Sequence, residues 1–232
     1  MATISPMAAI TKPARGFTLT ELAVVLVIVA LLMGGLLMPL SAQKEVERRQ
    51  ATSQQLASIR EALIAFASIS GRLPCPDTNN DGMEEVSCTG DATGDGLLPW
   101  KNLNLSPLDA WGSPWRYRIE RGYANYTTLR NQILLNASTS DCTGMSAFPS
   151  DCIDLYDNAN VRQNTTTEHP IAVIYSLGPN QQADGRNASY EPNRLNSPSY
   201  QADGNATDFD DMLIWINRSH LINPLIAVGK LP

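Results

Sequence analysis

Histidine is almost missing from this 232-residue chain: His169 and His220 are the only two, and neither stands in an HExxH or HxH pattern. The usual zinc-hydrolase arrangements need paired imidazoles and are thereby excluded. No G-x-S-x-G elbow and no Walker loop occurs, so no enzymatic activity is expected. Each His is expected at the surface or at a strand end. Lys/Arg runs are also absent, and 23 Asp+Glu outweigh 17 Lys+Arg for a formal charge of −6. A basic nucleic-acid surface is therefore excluded as the main feature. Large apolar residues are not scarce: the chain is 43% hydrophobic, with four Trp, seven Tyr and four Phe, which argues against disorder.

Charge is missing from one long stretch. Between Glu21 and Lys44 lie 22 uncharged residues, LAVVLVIVALLMGGLLMPLSAQ. About 20 apolar residues at ~1.5 Å rise span a hydrocarbon core, so a single membrane crossing is expected and a multi-span protein is excluded. The segment before it, Met1 to Gly16, carries only Lys12 and Arg15 as charged side chains. A secretory signal peptide is cut after its apolar run. Here the candidate cut, RG|FTLTE, stands before the run, so cleavage would retain the apolar helix. Positive residues flank both sides (Lys44, Arg48 and Arg49 follow), and charge alone does not orient the span. Glu21 is out of place at the edge of such a helix. It either snorkels to the head groups or awaits a positive partner such as a newly freed amine on Phe17.

Gly16-Phe17-Thr18-Leu19-Thr20-Glu21-Leu22, followed by the apolar run, resembles the class III signal of type IV pilins and type II secretion pseudopilins. The resemblance implies that a prepilin peptidase cuts after Gly16 and N-methylates Phe17. It further implies that Glu21 pairs with the N-terminus of an adjacent subunit during assembly. Gly34, Gly35 and Pro39 would be the place where such a helix melts in a filament. The implied partners are other pilin or pseudopilin subunits, in a homo- or hetero-filament, the prepilin peptidase, an inner-membrane assembly platform and membrane lipid, with no nucleic acid. The implied location is the bacterial inner membrane, single-pass, with the C-terminal domain in the periplasm, and then a pilus or pseudopilus. A periplasmic binding protein or enzyme that uses the helix only as an anchor is the alternative.

Beyond the span, Leu56, Ile59, Leu63 and Phe66 form one stripe of an amphipathic helix, which Gly71 and Pro74 end. A single helix of ~50 residues, from about Thr18 to Ser70, is expected. WRYRIE (115–120), IAVIYSL (171–177) and DMLIWI (211–216) read as strands. Tyr123 to Leu135 is ambiguous between strand and short helix, and 136–168 and 178–210 read as loops. The expected fold is α+β, a pilin-like lollipop with a long N-terminal helix and a small antiparallel sheet with long loops. Its expected parts are a leader (1–16), a transmembrane assembly helix (17–43), an amphipathic stem (44–70) and an exported head (71–232). Within the head, Asp109-Ala-Trp-Gly-Ser-Pro-Trp-Arg-Tyr117 is similar to the D-x-W-G-x-P segment of major pseudopilins. Asp210-Asp211-Met-Leu-Ile-Trp215 is similar to the acidic-apolar strand near their C-termini, and Leu73-Pro-Cys-Pro76 and Leu98-Pro-Trp100 resemble a group of minor pilin-like proteins.

The four cysteines, Cys75, Cys88, Cys142 and Cys152, all follow the span and lack CxxC pairs. Two disulfides are expected in an oxidising compartment, with proximity favouring 75–88 and 142–152, and buried free thiols as the alternative. Asp77, Asn79 and Asp81, followed by Gly82, copy the opening of an EF-hand loop. Cys88 stands where the twelfth-position Glu belongs, so a true EF-hand is rejected. A calcium-binding turn completed by Glu84, Glu85 or Asp91 and a plain Asx-turn are the two readings left. A second acidic group comprises Asp203, Asp208, Asp210 and Asp211, with Asp184 upstream. Major pseudopilins bind calcium just before their last strand, so the resemblance implies calcium here, against a solvated acidic loop. No other cofactor is indicated.

Overall fold

The computed structural model describes residues 16–88, 94–125, 153–164, 169–189, 199–203 and 209–231, with only the backbone described at 34–40. The fold is α+β, an N-terminal helix and a small antiparallel sheet. The chain divides into two compact units, Met1–Glu47 and Arg48–Pro232, and helix α1 (Leu19–Ser70) contributes to both.

In the first unit α1 runs unbroken through Gly34, Gly35 and Pro39. Its large apolar side chains between Leu19 and Met33 are exposed, Leu31 at 71% and Met33 at 64%. Among the described residues no helix is long and apolar enough to cross a membrane. The expected crossing at 17–43 includes the side chains at 34–40, which lie outside the described set.

In the second unit the continuation of α1 buries the stripe read from its spacing. Leu56, Ile59, Leu63 and Ala67 are in the core, and Phe66 packs against it half-buried. The helix ends where Gly71 takes a positive φ (73°) and donates its N–H to the Ala67 carbonyl. Only glycine adopts that left-handed turn without strain.

The sheet has four antiparallel strands in the order β1 (Asp95–Leu97), β2 (Arg116–Ile119), β4 (Pro170–Ser176), β6 (Met212–Asn217). The strands read at 115–120, 171–177 and 211–216 are β2, β4 and β6. β4 is buried at every position because both sheet faces are covered. Ala172 and Ile174 face the main core with Leu63, Tyr117 and Ile216. Val173 and Tyr175 face a second cluster with Ile153, Leu155 and Tyr200. That second cluster belongs to a feature the loop reading did not contain, a parallel pair of β3 (Asp154–Tyr156) and β5 (Ser199–Gln201). A buried ion pair from Arg118 to Asp95, with Tyr200 donating to the same carboxylate at 3.2 Å, ties β1 and β2 to β5.

Three further elements depart from the sequence reading. A four-residue helix α2 (Trp100–Leu103) precedes β2, and a 3-10 turn (Arg121–Ala124) resolves the start of the ambiguous segment, whose remainder lies outside the described residues. A C-terminal helix α3 (Arg218–Ala227) was not anticipated. It starts because Asn217 and His220 cap each other across its first turn, and it buries Leu221 and Leu225.

Candidate functional site

The N-terminal end of α1 is built around Glu21. The Thr18 N–H and hydroxyl both donate to Glu21 Oε2 at 2.9 Å, and the Glu21 N–H donates to Thr18 Oγ1 at 3.2 Å. This is a reciprocal capping box, with Thr18 as N-cap and Glu21 three residues on. It satisfies two of the amide groups left open at any helix start. The T-x-x-E spacing was legible in the sequence but was not part of its reading. Phe17 is 85% exposed immediately ahead of the box, and Gly16 has open space around its Cα. Gly16, Phe17 and Glu21 thus stand together at an accessible helix start, with the Gly16–Phe17 peptide bond one residue from the cap.

The second site lies where the loop after β4 meets the start of β6. Asp184, Asp210 and Asp211 each offer an oxygen within 4.8 Å of the others. Among the described residues this is the group of three or more acidic, Cys or His side chains close enough to hold an ion. Backbone bonds fold the loop onto itself: Asp184 N–H donates to Asp211 Oδ2 and Asp210 N–H to Asp184 Oδ2, both at 2.9 Å. Asn187 Nδ2 donates to the same Asp211 oxygen at 2.9 Å, and Asn180 N–H to Asp210 Oδ2 at 3.1 Å. The remaining oxygens, Oδ1 of Asp210 and of Asp211, are buried with no hydrogen-bond partner. Asp211 is only 6% exposed.

A buried carboxylate oxygen without a donor is costly. Burial first, then the charges of Asp184 and Asp210, push the Asp211 carboxyl up to about 6, against the pull of the Asp184 N–H and the Asn187 amide. Burial likewise raises Asp210. Clustered, under-bonded carboxylates of this kind suit a hard divalent cation with oxygen ligands. The donor set and the two orphaned oxygens fit calcium.

The other acidic candidates are placed differently. Asp77 is fully buried, and its carboxylate accepts N–H groups from Asn79 (3.2 Å), Asn80 (2.7 Å) and Gly82 (2.7 Å). Asn79 Oδ1 accepts from Asp81 N–H and Asp81 Oδ1 from Met83 N–H, at 2.9 and 2.7 Å. These are successive Asx-turns, in which each side chain is used two or more residues on. Glu84 forms a bidentate pair with Arg72, and Glu85 accepts from Thr78. Asp203 is exposed and accepts from Asn158 N–H. Asp91 and Asp208 lie outside the described residues.

The Cys75–Cys88 disulfide is present, closing the turn that contains Asp77. Cys142 and Cys152 lie outside the described residues. His220 is exposed, as expected, while His169, at the start of β4, is buried and contacts Glu120 at 3.1 Å. No sequence signal marked that pair, because its members meet only when β2 and β4 align.

The family described as the prokaryotic N-terminal methylation motif matches residues 11–37. No curated protein and no solved structure matches the chain significantly. The matched stretch contains Gly16, Phe17, Thr18 and Glu21, and the chain carries a signal of the type IV pilin and pseudopilin kind.

Proposed function

We propose that the protein is a structural subunit of a type IV pilus-like filament or of a type II secretion pseudopilus. The match to the methylation motif over residues 11–37 is the observation that carries this reading. In this account a prepilin peptidase cuts between Gly16 and Phe17 and methylates the new amine. The mature chain sits in the inner membrane as a single-pass protein with its head in the periplasm, then leaves the bilayer as α1 joins a bundle of like helices. The apolar side chains from Leu19 to Met33, exposed in the isolated chain, become the packing surface of that bundle. The subunit does no chemistry of its own.

Glu21 has two jobs in this account. Its carboxylate caps its own helix through Thr18, and its negative charge, placed in an apolar bundle, selects the positive N-terminus of a neighbouring subunit. Glu21→Gln separates them, since glutamine can still accept the Thr18 N–H while carrying no charge. Filament assembly by that variant is expected to collapse, although the processed protein accumulates in the membrane. Assembly at the wild-type level would reduce Glu21 to a helix cap and favour a simple membrane anchor.

Calcium at the head completes the proposal. Asp184, Asp210 and Asp211 would hold it, and the ion would neutralise three carboxylates that the fold crowds together. The loop after β4 and the entry to β6 would then be fastened by one centre.

A further inference from the structure

The D-x-W-G-x-P segment lies in a different part of the sequence from the acidic loop, yet the structure joins them. Asp109 is 7% exposed. Its Oδ1 accepts the N–H groups of Trp111 and Ser113 at 2.9 and 2.8 Å, which closes the turn on itself. Its Oδ2 accepts the hydroxyl of fully buried Ser176, the last residue of β4, at 2.5 Å. With its proton committed to Asp109, the Ser176 oxygen is left as an acceptor, and it takes the Gly178 N–H at 3.1 Å.

Gly178 stands at the start of the acidic loop, two residues after the end of β4. It has a positive φ of 63°, and a Cβ placed there would stand 2.4 Å from the Asp210 carbonyl oxygen and 2.5 Å from Asp210 Oδ1. The backbone at Gly178 therefore rests directly on one of the three acidic residues. A second tie reaches the far side of the same loop, where Gln181 Nε2 donates to the Trp111 carbonyl at 2.9 Å. Asp184, three residues beyond that tie, follows in the same run.

We infer that the Asp109 turn is the outer support of the acidic site, and that Ser176 and Gln181 are positioning residues that hold the loop in its ion-binding shape. The inference rests on the calcium reading above. Neither residue is one of the three acids; each fixes backbone that touches or leads to them. Hydrogen-bonded groups behind a metal's ligands orient them, and their removal typically costs about 10–100-fold in metal affinity. The direction of the chain of bonds also matters: Asp109 orients the Ser176 hydroxyl, and the oriented oxygen captures Gly178.

The test is calorimetric titration of calcium into full-length protein in detergent micelles, comparing wild type, Ser176→Ala, Gln181→Ala and the double variant. The wild type should bind calcium, and the double variant should bind it at least about tenfold more weakly. Gln181→Ala alone alters an exposed side chain, so it leaves the fold intact and is expected to weaken binding by more than about twofold. Leu63→Ala serves as the structural control: it loosens the main core, away from the loop, and should keep the wild-type affinity. If the wild type binds calcium and both single variants and the double variant match it within about twofold, the positioning role is overturned and the metal site stands. If losses in affinity appear equally in Leu63→Ala, the effect is general stability and the role is again overturned. If the wild type does not bind calcium, both the site and its support fall.

Discussion

Replacing Asp211 by asparagine should stabilise the calcium-free head and destabilise the calcium-loaded one. The folded protein raises the Asp211 carboxyl from 3.8 to about 6, so it binds that proton more tightly than the unfolded chain does. The stabilising effect of the proton is full below pH ~4 and is lost as the pH rises through ~6. A shift of about two pH units corresponds to about 3 kcal/mol, an upper value because part of it is repulsion from the neighbouring charges of Asp184 and Asp210. Above pH 7, then, the calcium-free wild type carries a penalty that an uncharged amide removes. Asparagine can still accept from the Asp184 N–H with its oxygen, and its amide nitrogen can donate to a neighbouring carboxylate.

For a unit of this size each kcal/mol moves the midpoint by roughly 2–4 °C. The variant should therefore melt several degrees higher in chelator at pH 7.5, with the gap closing near pH 4. Calcium at about 1,000 times its dissociation constant stabilises the wild type by about 4.1 kcal/mol, more than the ~3 kcal/mol penalty, and should reverse the order. Intrinsic fluorescence reports this cleanly, since all four tryptophans (Trp100, Trp111, Trp115 and Trp215) lie in the second unit. A variant less stable than wild type in chelator, or an order that calcium does not reverse, would refute the reasoning.

Two further predictions concern the head. Replacing Cys75 and Cys88 together by alanine opens a loop with a sequence separation of 13 and should cost about 3 kcal/mol, read from denaturant midpoints; an unchanged midpoint would show that the bridge contributes nothing. Leu63→Ala removes a side chain with no solvent exposure from the main core and should cost about 2–5 kcal/mol, whereas a loss under about 1 kcal/mol would mean that the stem helix is not part of the core.

Periodicity made the largest elements legible. The i, i+3, i+7 stripe from Leu56 to Leu63 and the β-branched runs of β4 and β6 required only their own residues to be read. The three-residue strands β1, β3 and β5 are too short to show a period, and their pairing depends on distant partners. Helix α3 was hidden by Pro224 and by its polar start at Arg218, and depends on a cap that uses His220 in place of the usual acid. At the acidic site, adjacent Asp210 and Asp211 stood out in the sequence. Asp184 was read upstream of them alongside Asp203, and only the closed loop selects Asp184 over Asp203. The D-x-N-x-D-G opening at Asp77 left two readings, and the Asx-turn is the one formed: the buried first Asp accepts backbone amides. The role of Asp109 was invisible for the same reason as the Glu120–His169 pair, since each depends on a contact between segments far apart in sequence.

Removing residues 1–16 takes Lys12 and Arg15 with them and moves the formal charge from −6 to −8, so the processed and intact chains differ in both mass and charge. The most direct measurement is mass spectrometry of the N-terminal peptide of the mature protein, made in cells that contain a prepilin peptidase. The account predicts a chain that begins at Phe17 and carries one added methyl group on its amine. An N-terminus still at Met1, or one created by cleavage beyond the apolar run, would contradict it.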